Sequence, residues 1–109
     1  MIAHDLTDIK TSAFGACLSL KSVDIKNVTN VYASIFQGCT ALVSATVGFV
    51  GNYMFSACTN LTNIEFKQSV QIIDAAAFYG CSSLQTINIP NFITRINNEA
   101  FKGCRSMHS

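Results

Sequence analysis

Five times along the chain a phenylalanine stands three residues ahead of a cysteine. The pairs are Phe14/Cys17, Phe36/Cys39, Phe55/Cys58, Phe78/Cys81 and Phe101/Cys104, so the cysteines advance in steps of 22, 19, 23 and 23 residues. Three residues after each cysteine comes Leu20, Leu42, Leu61, Leu84 or Met107. Five residues before each phenylalanine comes Ile9, Val31, Val50, Ile73 or Ile96. Columns that recur together mark an internal repeat of about 23 residues, and a repeat constrains the fold more than any local signal.

A unit of that size cannot bury its own apolar side, whereas stacked units cover one another. Each unit contains one stretch with period-two alternation: Leu20-x-x-Val23-x-Ile25, Leu42-x-x-Ala45-x-Val47, Leu61-x-x-Ile64-x-Phe66 and Leu84-x-x-Ile87-x-Ile89. Alternation with β-branched residues predicts a short strand buried on one face. The Ala77-Phe-Tyr-Gly-Cys81 piece clusters its apolar residues at helical spacing and predicts one helical or 3₁₀ turn. Stacking sets equivalent strands about 4.8 Å apart in a parallel sheet. The expected fold is a repeat solenoid of about five coils, one continuous array over residues 1–109, with Phe and Cys ladders in its core. Such a stack leaves no interior cavity for a cofactor.

Residues 77–90 read Ala-Phe-Tyr-Gly-Cys-Ser-Ser-Leu-Gln-Thr-Ile-Asn-Ile-Pro, and residues 100–107 begin another copy. This pattern resembles the BspA-like leucine-rich repeat, also called the Treponema pallidum type, over roughly residues 6–107. Two departures stand out. Pro90 is the only proline, so the proline that often ends the strand is missing elsewhere. The third unit is shorter, through Gly48-Phe-Val-Gly-Asn52, and is expected to narrow or bend the solenoid there. The resemblance implies a cell-surface or secreted protein of host-associated bacteria or parasitic protists. It also implies binding to host matrix proteins, host cells or other microbes, and it carries no catalytic motif.

Composition narrows the function classes. Net charge is +1 and only 12% of residues are charged, so no strong field draws the chain to nucleic acid or anionic lipid. Asn, Ser and Thr supply 29 residues, which makes the polar surface mainly neutral. The most apolar stretch, Ala41 to Phe55, is interrupted by Ser44, Thr46, two glycines and Asn52, so no membrane span is expected. Met1–Asp5 has neither a basic start nor an apolar run, and no signal peptide is read there.

The five cysteines admit three roles: disulfides, metal ligands or core thiols. No Cys-x-x-Cys exists, and both histidines, His4 and His108, lie at the ends, which disfavours zinc. Neighbouring ladder cysteines fall within disulfide reach, but five cannot all pair internally. Free core thiols are the preferred reading, because a buried Cys packs as a small apolar residue. Cys104, in the last coil, is the one expected to oxidise or cross-link. Gly38, Gly80 and Gly103 precede three of the cysteines, while Ala16 and Ala57 precede the others. Small size, rather than a positive φ, is the property the column is expected to need.

Asp24 and Glu65 share one strand slot, two rungs or roughly 10 Å apart. An open sheet face does not desolvate a carboxylate, so a general acid–base pair is not expected there. No Ser/His/Asp or Cys/His set is available, and no enzyme, cofactor or metal is read from the chain. The outward strand slots are the candidate partner-binding face: Lys21, Asp24, Ser44, Thr46, Asn63, Glu65, Thr86 and Asn88. They offer no aromatic anchor. The expected partner is a protein, a host or matrix protein or the chain itself, with a purely structural array as the alternative. Asn27-Val-Thr29 and Asn60-Leu-Thr62 match the glycosylation sequon. Neither end carries a recognisable cap, which leads to the expectation of a fragment or an uncapped array that self-associates.

Overall fold

The computed structural model describes residues 2–4, 20–26, 36–85 and 87–105, with residues 2–4 described as backbone only. The first Phe/Cys pair (Phe14, Cys17), Ala16, Asn27, Thr86 and Met107 lie outside these residues.

Four strands are short and in repeat register: β1 (Ile2–His4), β2 (Ser22–Ile25), β3 (Ser44–Val47) and β4 (Asn63–Phe66). They form one parallel sheet in the order β1-β2-β3-β4. The period-two pattern places Val23, Ile25, Ala45, Val47 and Phe66 inward, all buried. Parallel strands need a crossover between them, and here the remainder of each coil supplies it. The result is the expected solenoid of stacked coils.

A second side of the stack is built from turns. From Gly51 to Leu61 the chain makes successive i→i+3 turns, with Met54 N–H to Gly51 O (3.2 Å), Ser56 N–H to Tyr53 O (3.0 Å), Cys58 N–H to Phe55 O (3.1 Å) and Leu61 N–H to Cys58 O (3.1 Å). This differs from the single helical turn expected. The reason is the backbone. Tyr53 and Ala57 have φ of 56° and 62°, which interrupts any helix and gives the pattern of type II turns. The next coils repeat it with Ala76 and Gly80 (55° and 77°), then Glu99 and Gly103 (60° and 82°). Coils are joined here by bonds from Phe36 N–H to Met54 O (3.1 Å), Phe55 N–H to Ala77 O (2.8 Å) and Phe78 N–H to Ala100 O (2.8 Å).

The residue before each of the four described cysteines therefore does need positive φ. Gly38, Gly80 and Gly103 adopt it without strain, and Ala57 adopts it despite its Cβ. The size-only expectation is overturned by these angles. Close approach contributes at one position: a Cβ on Gly103 would lie 3.2 Å from the Gly80 backbone, against 3.8 Å from the Ala57 backbone for Gly80.

A third side carries two strands the sequence pattern did not mark, β5 (Ile72–Ile73) and β6 (Arg95–Ile96), paired in parallel. Conversely, the strand expected at Leu84–Ile89 is absent from residues 87–90. Pro90 supplies a physical reason. Its counterparts Gly48 and Lys67 donate N–H groups to Ile25 O (3.2 Å) and Val47 O (3.0 Å), and proline has no N–H to continue that series. Ile64, lacking a strand above it, is only half-buried, whereas Val23 and Ala45 are 3% and 4% exposed.

The ladders fill the core. Phe36, Phe55 and Phe78 are fully buried, with ring centroids 5.4 Å apart in both steps and interplanar angles of 7° and 9°. Phe101 continues the stack at 5.3 Å and 2° but is only half-buried. Leu20, Leu42, Leu61 and Leu84 are each 0% exposed.

Candidate functional site

Parallel pairing without slippage turns the outward strand slots into straight rows. The register pairs Ser22 with Ser44 and Ser44 with Asn63, and likewise Asp24 with Thr46 and Thr46 with Glu65. Ser22, Asp24, Ser44 and Thr46 are half-buried, while Lys21, Thr62, Asn63, Glu65, Gln85 and Asn88 are exposed. Six of the eight proposed face residues thus stand on or beside one sheet. Asn88 stands apart, on a segment without a strand, and Thr86 lies outside the described residues.

The electrostatics of this face depend on two lysines that sequence reasoning did not weigh. Lys26 Nζ lies 3.4 Å from Asp24 Oδ2, and Lys67 Nζ lies 3.5 Å from Glu65 Oε2. The signal was present as Asp24-x-Lys26 and Glu65-x-Lys67, one acid-x-lysine step repeated two coils apart. Each carboxylate is thereby neutralised within its own coil, at little gain in stability because the pairs are exposed. Among the described residues the face is a nearly neutral hydrogen-bonding surface on which Val43 is an exposed apolar side chain, at 44%.

The described cysteines take no part in such a surface. None of the four described cysteines is in a disulfide, with Cys39, Cys58 and Cys81 buried and Cys104 half-buried. Burial pushes the Cys81 thiol from an ordinary 9.0 up to about 12, and raises Cys58 and Cys104 in the same direction. A thiol held protonated is a poor nucleophile and a poor metal ligand. Among the described residues no group of three His, Cys, Asp or Glu side chains could hold a metal ion. No helix among them is long and apolar enough to cross a membrane.

The exposed aromatics that the strand face lacks occur on the turn side. Tyr53 and Tyr79 are 45% and 40% exposed. Tyr79 lines a shallow depression of about 510 Å³ with Lys102 and Arg105, and Lys102 Nζ lies 3.2 Å from Glu99 Oε2. At the second sequon, Asn60 is exposed and its amide donates to Thr40 O at 2.7 Å.

Comparison with known proteins agrees with this geometry. The pattern of the BspA type leucine rich repeat region matches residues 1–108. Among curated proteins none matches. The solved leucine-rich-repeat protein of T. pallidum superposes with a TM-score of 0.85 at 29% identity, covering 94% of this chain and 50% of its own. One from Bacteroides ovatus gives 0.73 at 25% identity, covering 97% of this chain and 35% of its own. A leucine rich cell surface protein of Faecalibacterium prausnitzii shares the fold alone, with a TM-score of 0.51 at 19% identity over 99% of this chain and 46% of its own. The chain therefore spans half or less of the length of these structures. Repeat period, parallel coil stacking, the Phe and Cys ladders and the full-length pattern match agree, and the chain belongs to the BspA-type leucine-rich-repeat family.

Proposed function

We propose that the chain is a non-enzymatic protein-binding module of a cell-surface or secreted leucine-rich-repeat protein, and that it adheres to a host or matrix protein through the outward face of β2, β3 and β4. The observation that carries this reading is the unbroken register of Ser22–Ser44–Asn63 and Asp24–Thr46–Glu65. It sets short hydrogen-bonding groups in rows about 4.8 Å apart, a spacing that a partner can match group for group. The internal pairing of Asp24 and Glu65 supports contact with a neutral partner surface rather than a strongly charged one. Location at the surface is supported by membership of the BspA-type leucine-rich-repeat family.

The test is retention of the chain on immobilised fibronectin, laminin and collagen. Wild-type chain is expected to be retained on at least one, and a Thr46→Arg, Glu65→Arg variant with unchanged thermal melting is expected to be lost from it. Equal retention of both, or none by the wild type, contradicts the proposal.

One observation favours self-association as a second reading. Ile96 is 48% exposed in the slot where Ile73 is 0% exposed, and Phe101 and Cys104 are half-buried. A second copy stacked on this coil covers all three. Light scattering across a concentration series distinguishes the readings, and a monomer at every concentration excludes this one.

A further inference from the structure

The second small sheet has an edge that no part of the described chain occupies. In the pairing of β6 with β5, Arg95 N–H donates to Gln71 O (3.4 Å), which also accepts Thr94 N–H (2.8 Å), and Asn97 N–H donates to Ile73 O (2.9 Å). One repeat earlier the equivalent donors are Ile72 and Asp74. Neither N–H has a hydrogen-bond acceptor among the described residues. The cause is the short third unit. Its connection from β3 to the turn at Tyr53 runs only through residues 48–52, whereas the next coil uses residues 67–75. Gly48 O, the first acceptor such a pairing needs, is instead taken by Ser69 Oγ at 2.7 Å.

What remains is a half-open groove of about 310 Å³, lined by Phe49, Val50, Ser69, Val70, Gln71, Ile72 and Asp74. That volume lies at the lower end of the ~300–1,000 Å³ usual for ligand clefts. Phe49, Val50 and Val70 provide an apolar floor, and Ile72 is 43% exposed beside it. Among the described lining residues the ionisable group is Asp74, whose Oδ1 already accepts from Ala75 N–H (2.9 Å) and Asn97 Nδ2 (3.0 Å). A carboxylate disfavours an anionic ligand. Two donors two residues apart on one strand edge face the same way and call for two acceptors at the same spacing. Alternate carbonyls of an extended backbone have that spacing.

We infer that this groove receives an extended polypeptide segment, which adds as a strand to the free edge of β5 and continues the β6–β5 ladder. Main-chain pairing supplies the affinity, and the Phe49–Val50–Val70 floor selects a small apolar side chain at alternate positions. The site is separate from the β2–β4 face, so its success or failure is independent of the adhesion proposal.

The probe is the synthetic peptide acetyl-Lys-Thr-Val-Thr-Val-Thr-Lys-amide, titrated into the isotope-labelled chain. The Ile72 and Asp74 amide protons are expected to shift downfield and to exchange more slowly, while β2–β4 face amides stay unchanged. Ile72→Pro deletes one of the two donors, an N–H on the edge of β5 that the pairing with β6 does not use, where proline is tolerated. It is expected to weaken binding about tenfold while Ile72→Val leaves it unchanged. Equal binding by wild type and Ile72→Pro overturns the inference, as does the absence of any Ile72 or Asp74 shift at millimolar peptide. Amide exchange in the free wild type gives a check that needs no variant. Ile72 and Asp74 are expected to exchange much faster than Ile73, and protection equal to that of Ile73 overturns the open edge.

Discussion

The sulfur of Cys58 lies 3.1 Å from the carbonyl oxygen of Phe36, in the coil before it. The same contact recurs from Cys81 to Phe55 O (3.1 Å) and from Cys104 to Phe78 O (3.2 Å). Each of these Phe carbonyls also accepts the N–H of the cysteine in its own coil, at 3.1 Å for Cys39, Cys58 and Cys81 alike. Aromatic stack and thiol ladder are therefore one device. The phenylalanine side chain fills the core, and its carbonyl ties two coils through two cysteines. Phe-x-x-Cys repeats because the i→i+3 turn that brings the cysteine N–H to the Phe carbonyl fixes that spacing.

Thiol accessibility follows from this placement. In the folded chain Cys39, Cys58 and Cys81 are expected to resist iodoacetamide, with Cys104 modified first among these four. Site-resolved mass spectrometry after timed alkylation checks the order. Modification of Cys58 at the rate of Cys104 contradicts it.

Stability is expected to fall in alkali. The folded Cys81 pKa is raised from 9.0 to about 12, so the unfolded chain loses its thiol protons first. The contribution is intact below pH 9.0 and is lost progressively as pH rises from there towards about 12. Each such thiol steepens the decline by up to about 1.4 kcal/mol per pH unit. Urea midpoints between pH 8 and 11 measure this, with a Cys58→Ala, Cys81→Ala chain as the reference expected to show the shallower slope.

The aromatic stack predicts a position effect. Phe55 is fully buried between Phe36 and Phe78, so Phe55→Ala is expected to cost about 3–5 kcal/mol. Phe101 has a ring neighbour on one described side and is half-buried, so Phe101→Ala is expected to cost clearly less. Denaturant titration of the two variants decides it, and equal losses contradict the stacked-core account.

Left-handed turn positions give a prediction of opposite signs. Ala57→Gly is expected to raise stability by up to about 1 kcal/mol, because positive φ strains alanine more than the added chain entropy costs. Gly80→Ala is expected to lower it by about 1 kcal/mol. Gly103→Ala is expected to lower it further, since its Cβ also meets the Gly80 backbone at 3.2 Å. Thermal melts of the three variants check the order.

Much of the scaffold was legible because stacking converts sequence period directly into spatial rows. The Leu and Phe ladders and the inward faces of β2 and β3 follow from column identity alone. The glycine column was misread because Ala57 occupies it. Composition cannot distinguish a small-residue requirement from a φ requirement that one alanine meets under strain. The Ile87-x-Ile89 stretch matches its family pattern best yet carries no strand, since Pro90 alters the hydrogen bonding that apolar spacing does not register. β5 and β6 were missed because two-residue strands have no alternation to detect. On the candidate face the rows were foreseen but their charge balance was not, because Lys26 and Lys67 follow the strands that carry Asp24 and Glu65.

The central claim, that the β2–β4 face is the docking surface, is tested most directly by amide mapping of the labelled chain against a matrix protein that retains it. Broadening is expected at Ser22, Asp24, Ser44, Thr46, Asn63 and Glu65, with Tyr53 and Tyr79 unchanged. Broadening confined to the turn side around Tyr53 and Tyr79, with the strand rows unaffected, contradicts it.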